Sequence, residues 1–459
     1  MTSSRFSLLC RLSDRQRQIL ALAIPSIISN ITIPLLGLVD LSIIGHIGNE
    51  TYISGIAVGS MIFNVIYWLM GFLRMGTSGL TAQSVGRQDA AECAYVLARA
   101  LMISILLSGA FLILSPVLYP LLLNILNTPT DAREHVWQYF HIVMWGAPAM
   151  LSIYSLTGWF IGMQDTKTPM YVAIIQNITN IIFSLFFVFV CHWQIAGVAA
   201  GTLIAQWVGL IIGLYMADRL LRKSFIESSI ILLIKTVKHR YRDVFDKSKF
   251  RIFFSVNRDI FLRTLCLVLV NAAYTSFSGR QGAAILSANT LLLTFFTFFS
   301  YVMDGFAYAG EALCGKSYGA NDDKAFCDYV RQLLRFSIWM VVMFTLVYAL
   351  LGNDIIRLMC NDAGVIDTTS RYMTWAVLIP VCSFVAFVFD GVFIGIVATR
   401  YMLLSTFVAA IVFFVSYAIC NTFLNWGNHS IWLAFLLYLL SRSVTLHVIY
   451  HISMKKGHL

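Results

Sequence analysis

Asp40, Asn180 and Thr202 carry the first chemical clue, because each stands inside a long apolar run. An Asp at the centre of a membrane helix costs about 2.5–3.5 kcal/mol on insertion scales, and less near a helix end. Such a residue usually faces the interior of a helix bundle. Asp40 lies near the end of the first apolar run, after Pro25 and Pro34. A carboxyl surrounded by hydrocarbon trades its charge for a proton, which is what proton coupling requires. Pro34 frees a backbone carbonyl about a turn and a half before Asp40, so a bend there can respond to that charge. Asn177 and Asn180 sit midway along the fifth run, and Thr202 lies early in the sixth. By depth, Asn180 and Thr202 share the outer half of the first six runs with Asp40. A carboxylate with amide and hydroxyl neighbours makes a proton site. Amides and hydroxyls equally serve as hydrogen-bonding glue between membrane helices.

The second half of the chain has its own acids inside apolar runs: Asp304, Glu311 and Asp390. They are candidates for a second ion site or a gate. The alternative is that they pair with nearby basic residues, Arg263 among them. Arg263 is read here as almost the only Lys or Arg inside a span. The histidines do not cluster at ligand spacing, and the nine cysteines occur singly with no Cys-x-x-Cys. No metal site, disulfide or cofactor is expected.

These residues need a scaffold, and composition says which kind. Hydrophobic residues make up 59% of the chain and charged residues 12%, with a mean hydropathy of +0.79. Soluble proteins carry about twice that charge, so a soluble enzyme and a disordered chain are excluded. The apolar runs are continuous, not alternating, which excludes a β-barrel. The expected fold is an all-α integral membrane protein with twelve transmembrane helices. Their approximate bounds are 19–44, 53–75, 94–117, 136–161, 168–191, 195–216, 259–279, 284–308, 328–351, 371–397, 401–420 and 430–450. With the N-terminus inside, 27 of the 32 Lys and Arg fall on the inner side and four outside, so both termini are expected in the cytoplasm. The basic stretch 217–258 is read as a cytoplasmic linker near anionic headgroups, not as a nucleic-acid site. Its piece Ile226–Ile234 is too short to span and suits an interfacial helix. The expected domains are a six-helix lobe over 1–216, the linker over 217–258 and a second six-helix lobe over 259–459.

The halves repeat at an offset of 233. Gly158-Trp-Phe-Ile-Gly162 pairs with Gly391-Val-Phe-Ile-Gly395, and Met70, Ser84, Gly86 and Asp89 pair with Met303, Ser317, Gly319 and Asp322. Six spans per half give both halves the same orientation, so these are two parallel six-helix lobes. Such lobes, rocking about a central cavity, make a secondary transporter. Gly310-Glu-Ala-Leu-Cys-Gly-Lys-Ser317 matches the phosphate-loop pattern, but a membrane span precedes it where a buried strand is required. It is read as a chance match, which leaves an ion gradient as the energy source.

Four segments in order resemble the multidrug and toxic compound extrusion transporters over nearly the whole chain. They are Asp40-Leu-Ser-Ile-Ile-Gly-His-Ile-Gly48, Gly76-Thr-Ser-Gly-Leu-Thr-Ala-Gln-Ser-Val-Gly86, Gly158 to Pro169, and His192-Trp-Gln-Ile-Ala-Gly197. Asp304 to Glu311 and Phe389 to Gly395 resemble one branch of that family. The resemblance implies efflux of drugs or toxic compounds by antiport with protons or Na+, with Asp40 as the coupling residue and Asn180 and Thr202 as its partners. Relatives often place an Asp four residues after the Asn of the fifth span, where this chain has Ser184. One carboxylate in place of two favours H+ over Na+. The expected partners are cationic or amphipathic small molecules, H+ and membrane lipids, with no nucleic acid. The protein is expected to be a monomer in the bacterial inner (plasma) membrane, and not an enzyme. A lipid-linked oligosaccharide flippase is the rival, and scarce intramembrane Lys and Arg count against it. Export of an endogenous metabolite would use the same machinery.

Overall fold

The computed structural model describes residues 13–45, 50–126, 128, 130–224 and 246–455. Of residues 33–41, 44–45, 50–51, 125, 224 and 455 it describes the backbone alone. The proposed interfacial piece Ile226–Ile234 lies outside the described residues, as does the side chain of Asp40.

The described chain is helical, with no strand. Its helices are α1 (Asp14–Gly45), α2 (Glu50–Leu69), α3 (Phe72–Gly86), α4 (Ala90–Ile125), α5 (Thr130–Val143), α6 (Ala147–Gly162) and α7 (Lys167–Leu185). Then come α8 (Gln194–Ser224), α9 (Lys247–Arg280), α10 (Ala283–Gly319), α11 (Asp323–Met359), α12 (Ala363–Gly395), α13 (Thr399–Thr422) and α14 (Asn428–Lys455). Helices α2 and α3 are separated only by Met70 and Gly71, and α5 and α6 by one 3-10 turn at Met144–Gly146. The expected twelve rods result. Ten of them, among the described residues, are long and apolar enough to cross a membrane. The other two are α1 and the α5–α6 rod.

Most rods run past the apolar windows. Helix α10 continues to Gly319 and α11 starts at Asp323, so polar ends stay helical beyond the hydrocarbon zone. Side-chain caps help to set those ends. Asp89 accepts from the Glu92 amide at 2.9 Å at the start of α4, and Asp322 accepts from the Ala325 amide at 2.9 Å at the start of α11. These two acids are repeat partners, and the cap is the reason for their match. The turns match as well. Gln88 (φ 59°) pairs with Asn321 (φ 55°), and Gln164 (φ 64°) with Val397 (φ 62°), all in the left-handed region.

Packing divides the chain into two compact units. One holds residues 28–257, from the middle of α1 to the first part of α9. Its core sets Trp159 and Phe160 against Leu97, Leu156 and Leu221, and the Trp159 indole donates to the Cys93 carbonyl at 2.9 Å. The other holds Arg258–Leu459 together with the start of α1 up to Ile27. Its core is aromatic, with Tyr274, Phe295, Phe413, Trp432 and Phe435 buried together.

Each unit thus includes the first turns of a helix that continues into the other unit. At the start of α1, Arg15 forms an ion pair with Asp328 of α11, Gln16 bonds Gln332 at 3.0 Å, and Tyr329 donates to Gln18. At the start of α9, Lys249 pairs with Glu92 of α4, which also takes Arg99 at 2.7 Å.

The Gly-x-Phe-Ile-Gly motif is a packing seam. A Cβ on Gly158 of α6 would run into the Arg74 carbonyl of α3, and one on Gly391 of α12 into the Ala307 carbonyl of α10. Gly162 and Gly395 lie one turn on, where a Cβ on Gly395 would stand 2.7 Å from the Glu311 carbonyl oxygen and 2.9 Å from the Gly315 amide nitrogen. Small residues here let backbones touch, as membrane helices require. The phosphate-loop look-alike therefore sits inside α10, with Gly315 against Gly395, and has no preceding strand.

Candidate functional site

The first candidate site lies in the unit of residues 28–257. Helices α7 and α8 form a hairpin joined by the short π turn Phe186–Val190 and three further residues. This sets Asn180 beside Thr202. The Asn180 amide donates to the Thr202 hydroxyl at 2.9 Å, and that hydroxyl donates onward to the Val198 carbonyl at 3.1 Å. Asn180 and Ser184 are fully buried and Thr202 nearly so. The Asn180 carbonyl oxygen and the Ser184 hydroxyl make no hydrogen bond among the described residues. One α-helical turn before Asn180, the Asn177 amide donates to the Thr32 carbonyl of α1 at 2.8 Å, fixing α1 against α7. Asp40 lies eight residues further along α1. Thus the structure brings Asn180 and Thr202 together and ties their hairpin to the helix that carries Asp40.

On the same unit, α2 presents an open groove of about 470 Å³ lined by Ile56, Ser60, Met61, Asn64, Val65 and Trp68. An aromatic ring, a thioether, an amide and a hydroxyl share one stripe. Such a stripe suits flat amphipathic molecules.

The second candidate site lies in the other unit. Asp390 on α12 accepts through one oxygen, Oδ2, from two guanidinium groups: Arg263 of α9, and Arg442 of α14 at 2.7 Å. All three residues are buried. The Arg442 guanidinium also lies over the ring of Tyr438, one turn earlier, at 5.7 Å from its centroid. Asp304 of α10 is near enough to act electrostatically on Arg442. Glu311, two turns beyond Asp304, is 1% exposed. Among the described residues no group of His, Cys, Asp and Glu is placed to hold a metal ion.

Arg442 is the residue that sequence reasoning missed. It was counted with the inner-side cations because it lies near the end of the last apolar run. The signal was present, since it is flanked by Ser441 and Ser443 inside that run, Ile431 to Tyr450. Arg263 is therefore not almost alone within the spans. Arg442 is equally buried, 6% exposed, in the middle of α14.

The sequence model of the MatE family matches the chain twice, at residues 25–186 and 260–420, once in each half. DNA damage-inducible protein F of Escherichia coli (strain K12) is 34% identical over 97% of this chain and 94% of its own length. A "Probable multidrug resistance protein NorM" of Geobacillus kaustophilus is 20% identical over 83% of each chain. The crystal structure of MATE in the bent conformation superposes with a TM-score of 0.84 at 15% identity, covering 99% of this chain and 98% of that one. The last likeness shows the fold. The doubled family match and the bacterial relative reach further, to a family of membrane transporters and not of enzymes. With its repeated six-helix halves, glycine seams and buried polar hairpin, the chain belongs to the MatE family.

Proposed function

We propose that this protein is an H+-coupled efflux antiporter for drugs or other amphipathic compounds, with Asp40, Asn180 and Thr202 as the coupling site. The observation that carries this reading is the buried Asn180–Thr202 pair tied to α1 through Asn177 and Thr32. Consecutive rods joined by short turns alternate in direction, so the first and fifth run the same way. Eight residues from Thr32 to Asp40 and seven from Asn177 to Ser184 then advance about 12 and 10 Å. This registration supports Asp40 at the depth of Ser184; the Ser184 hydroxyl and the Asn180 carbonyl oxygen are buried and make no hydrogen bond among the described residues. Neutral oxygens of this kind suit a protonated carboxyl as hydrogen-bond acceptors. With Asp40 as its single carboxylate, the proposed site favours H+ over Na+.

In the proposed cycle, protonation of Asp40 reshapes the outer half of α1 and releases substrate outward. Deprotonation favours loading from the inside. Coupling requires that substrate affinity differ between the two states. The α2 groove with Met61 and Trp68 supports a contact surface for amphipathic cargo. Asp304, Glu311 and Asp390 would act as second-lobe ion or gating residues, and both termini would lie in the cytoplasm of a bacterial cell. The test is dye flux in proteoliposomes under an imposed pH or Na+ gradient, comparing wild type with Asp40→Asn. Flux driven by pH alone and lost in the variant is expected. Full gradient-driven flux in Asp40→Asn would remove Asp40 from coupling.

A further inference from the structure

The cluster on α9, α12 and α14 has a property that a simple salt bridge does not require. Two guanidinium groups converge on one oxygen of Asp390, while its other oxygen, Oδ1, is buried and makes no hydrogen bond among the described residues. Among the described residues the Arg442 Nε–H is likewise buried with no hydrogen bond. A carboxylate facing two guanidinium groups can engage both of its oxygens in parallel bonds. Here half of that capacity is unused. Asp390 thus occupies the space between the arginines without filling their hydrogen-bonding geometry.

The architecture does not call for these charges. At the repeat offset, Arg263, Asp390 and Arg442 correspond to Asn30, Thr157 and Gly209. The other half builds the corresponding helices with three neutral residues at these places. Buried ion pairs are often replaceable by apolar residues at no cost in stability. Ionisable residues within membrane spans mark function by default. Asp304 balances part of the positive charge near Arg442. An entering anion must therefore displace a carboxylate; it does not meet a bare positive field.

We propose that Arg263 and Arg442 form a subsite for the carboxylate of an amphipathic organic anion, with Asp390 as a built-in place-holder that the ligand displaces. The subsite widens the cargo beyond cations. The displaced Asp390 side chain leaves both guanidinium groups to a ligand carboxylate, which bonds each through a separate oxygen. The inference rests on the reading of the chain as a transporter. It is measured as equilibrium binding, so failure of proton coupling through Asp40 leaves it standing.

The experiment is anisotropy titration of fluorescein, a carboxylated dye, against the full-length protein in phosphatidylcholine nanodiscs. Cationic rhodamine 6G serves as the comparison. Arg442→Gln and Arg263→Gln each keep Asp390 paired with one arginine, so both variants retain charge neutralisation in the fold. Each is expected to weaken fluorescein binding about tenfold or more, the loss of one charge-assisted bond, with rhodamine 6G binding unmoved. Asp390→Asn removes the competitor and is expected to tighten fluorescein binding. This sign separates the two accounts, because a purely structural bridge weakens in all three variants. Absence of fluorescein binding to the wild type overturns the proposal, as does wild-type fluorescein affinity in both arginine variants. If Asp390→Asn does not fold, the arginine variants decide through the comparison dye: rhodamine 6G binding lost along with fluorescein binding overturns the proposal.

Discussion

Gly158 offers a sharp physical test of the lobe that holds the proposed coupling site. In Gly158→Ala the new Cβ would meet the Arg74 carbonyl group, with the carbonyl carbon at 2.8 Å and the Cα at 3.0 Å. Ordinary contact starts at 3.4 Å and the carbonyl oxygen lies nearer still, so α3 and α6 must part by well over half an ångström. The obstacle is backbone and cannot rotate away. Overpacking of this kind costs about 1–3 kcal/mol, and rigid backbone places it at the upper end. Alanine returns about 1 kcal/mol through helix propensity, leaving a net loss of about 2 kcal/mol. Gly109 in α4 is the internal control, since a Cβ there meets nothing within 4 Å. Gly109→Ala should therefore gain up to about 1 kcal/mol. The two alanine variants should differ by about 3 kcal/mol, or about 6–12 °C in Tm for a unit of this size. Tryptophan fluorescence on heating the detergent-solubilised protein reads this directly. Gly391→Ala, where the Ala307 Cα would lie at 2.7 Å, should match Gly158→Ala. A Gly158→Ala protein melting at or above Gly109→Ala would refute the close approach of α3 and α6.

Three further outcomes are expected. Asn180→Leu removes the donor to Thr202 and should cost about 1 kcal/mol of stability while cutting pH-driven dye flux about tenfold or more; wild-type flux would take Asn180 out of coupling. Asp322→Ala deletes the α11 cap and should lower stability by about 1 kcal/mol, seen as a drop in Tm; an unchanged Tm means that the cap contributes nothing. Val397→Gly relieves a β-branched residue held at φ 62°, and should raise stability by about 0.5–1 kcal/mol after the entropy of glycine is set against it; a lower Tm would show that the valine side chain contributes more than the turn strains it.

Much of this was legible because the membrane leaves so few solutions. Only helices satisfy their own backbone in hydrocarbon, so apolar run length alone located the rods. The pairing of Asp390 with Arg263 was readable because a buried charge needs a partner and few were within reach. Depth counting brought Asn180 and Thr202 to one level, and they do bond. Arg442 was lost because hydropathy treats a cation near the end of a run as a boundary marker. The glycine motif was legible as a repeated signature, but not as a seam, since which backbones it joins depends on α3 and α10 lying alongside. The helix ends ran long because capped polar turns carry no hydropathy signal. Nothing in the apolar pattern of α1 or α9 marks the residue at which each passes from one unit to the other.

That passage bears on how the protein is made. Ribosomes deliver α1 first, yet Arg15, Gln16 and Gln18 find their partners on Asp328, Gln332 and Tyr329, some three hundred residues later. The unit that contains them cannot close until α11 has been synthesised and inserted. The earlier half of the chain likewise waits for Lys249, which is needed to meet Glu92. Neither unit matures on its own schedule during translation. A chain severed between α8 and α9 would yield two fragments, each missing a stretch of helix that the other carries, so restoration of the fold from such pieces demands that they reassemble in the bilayer.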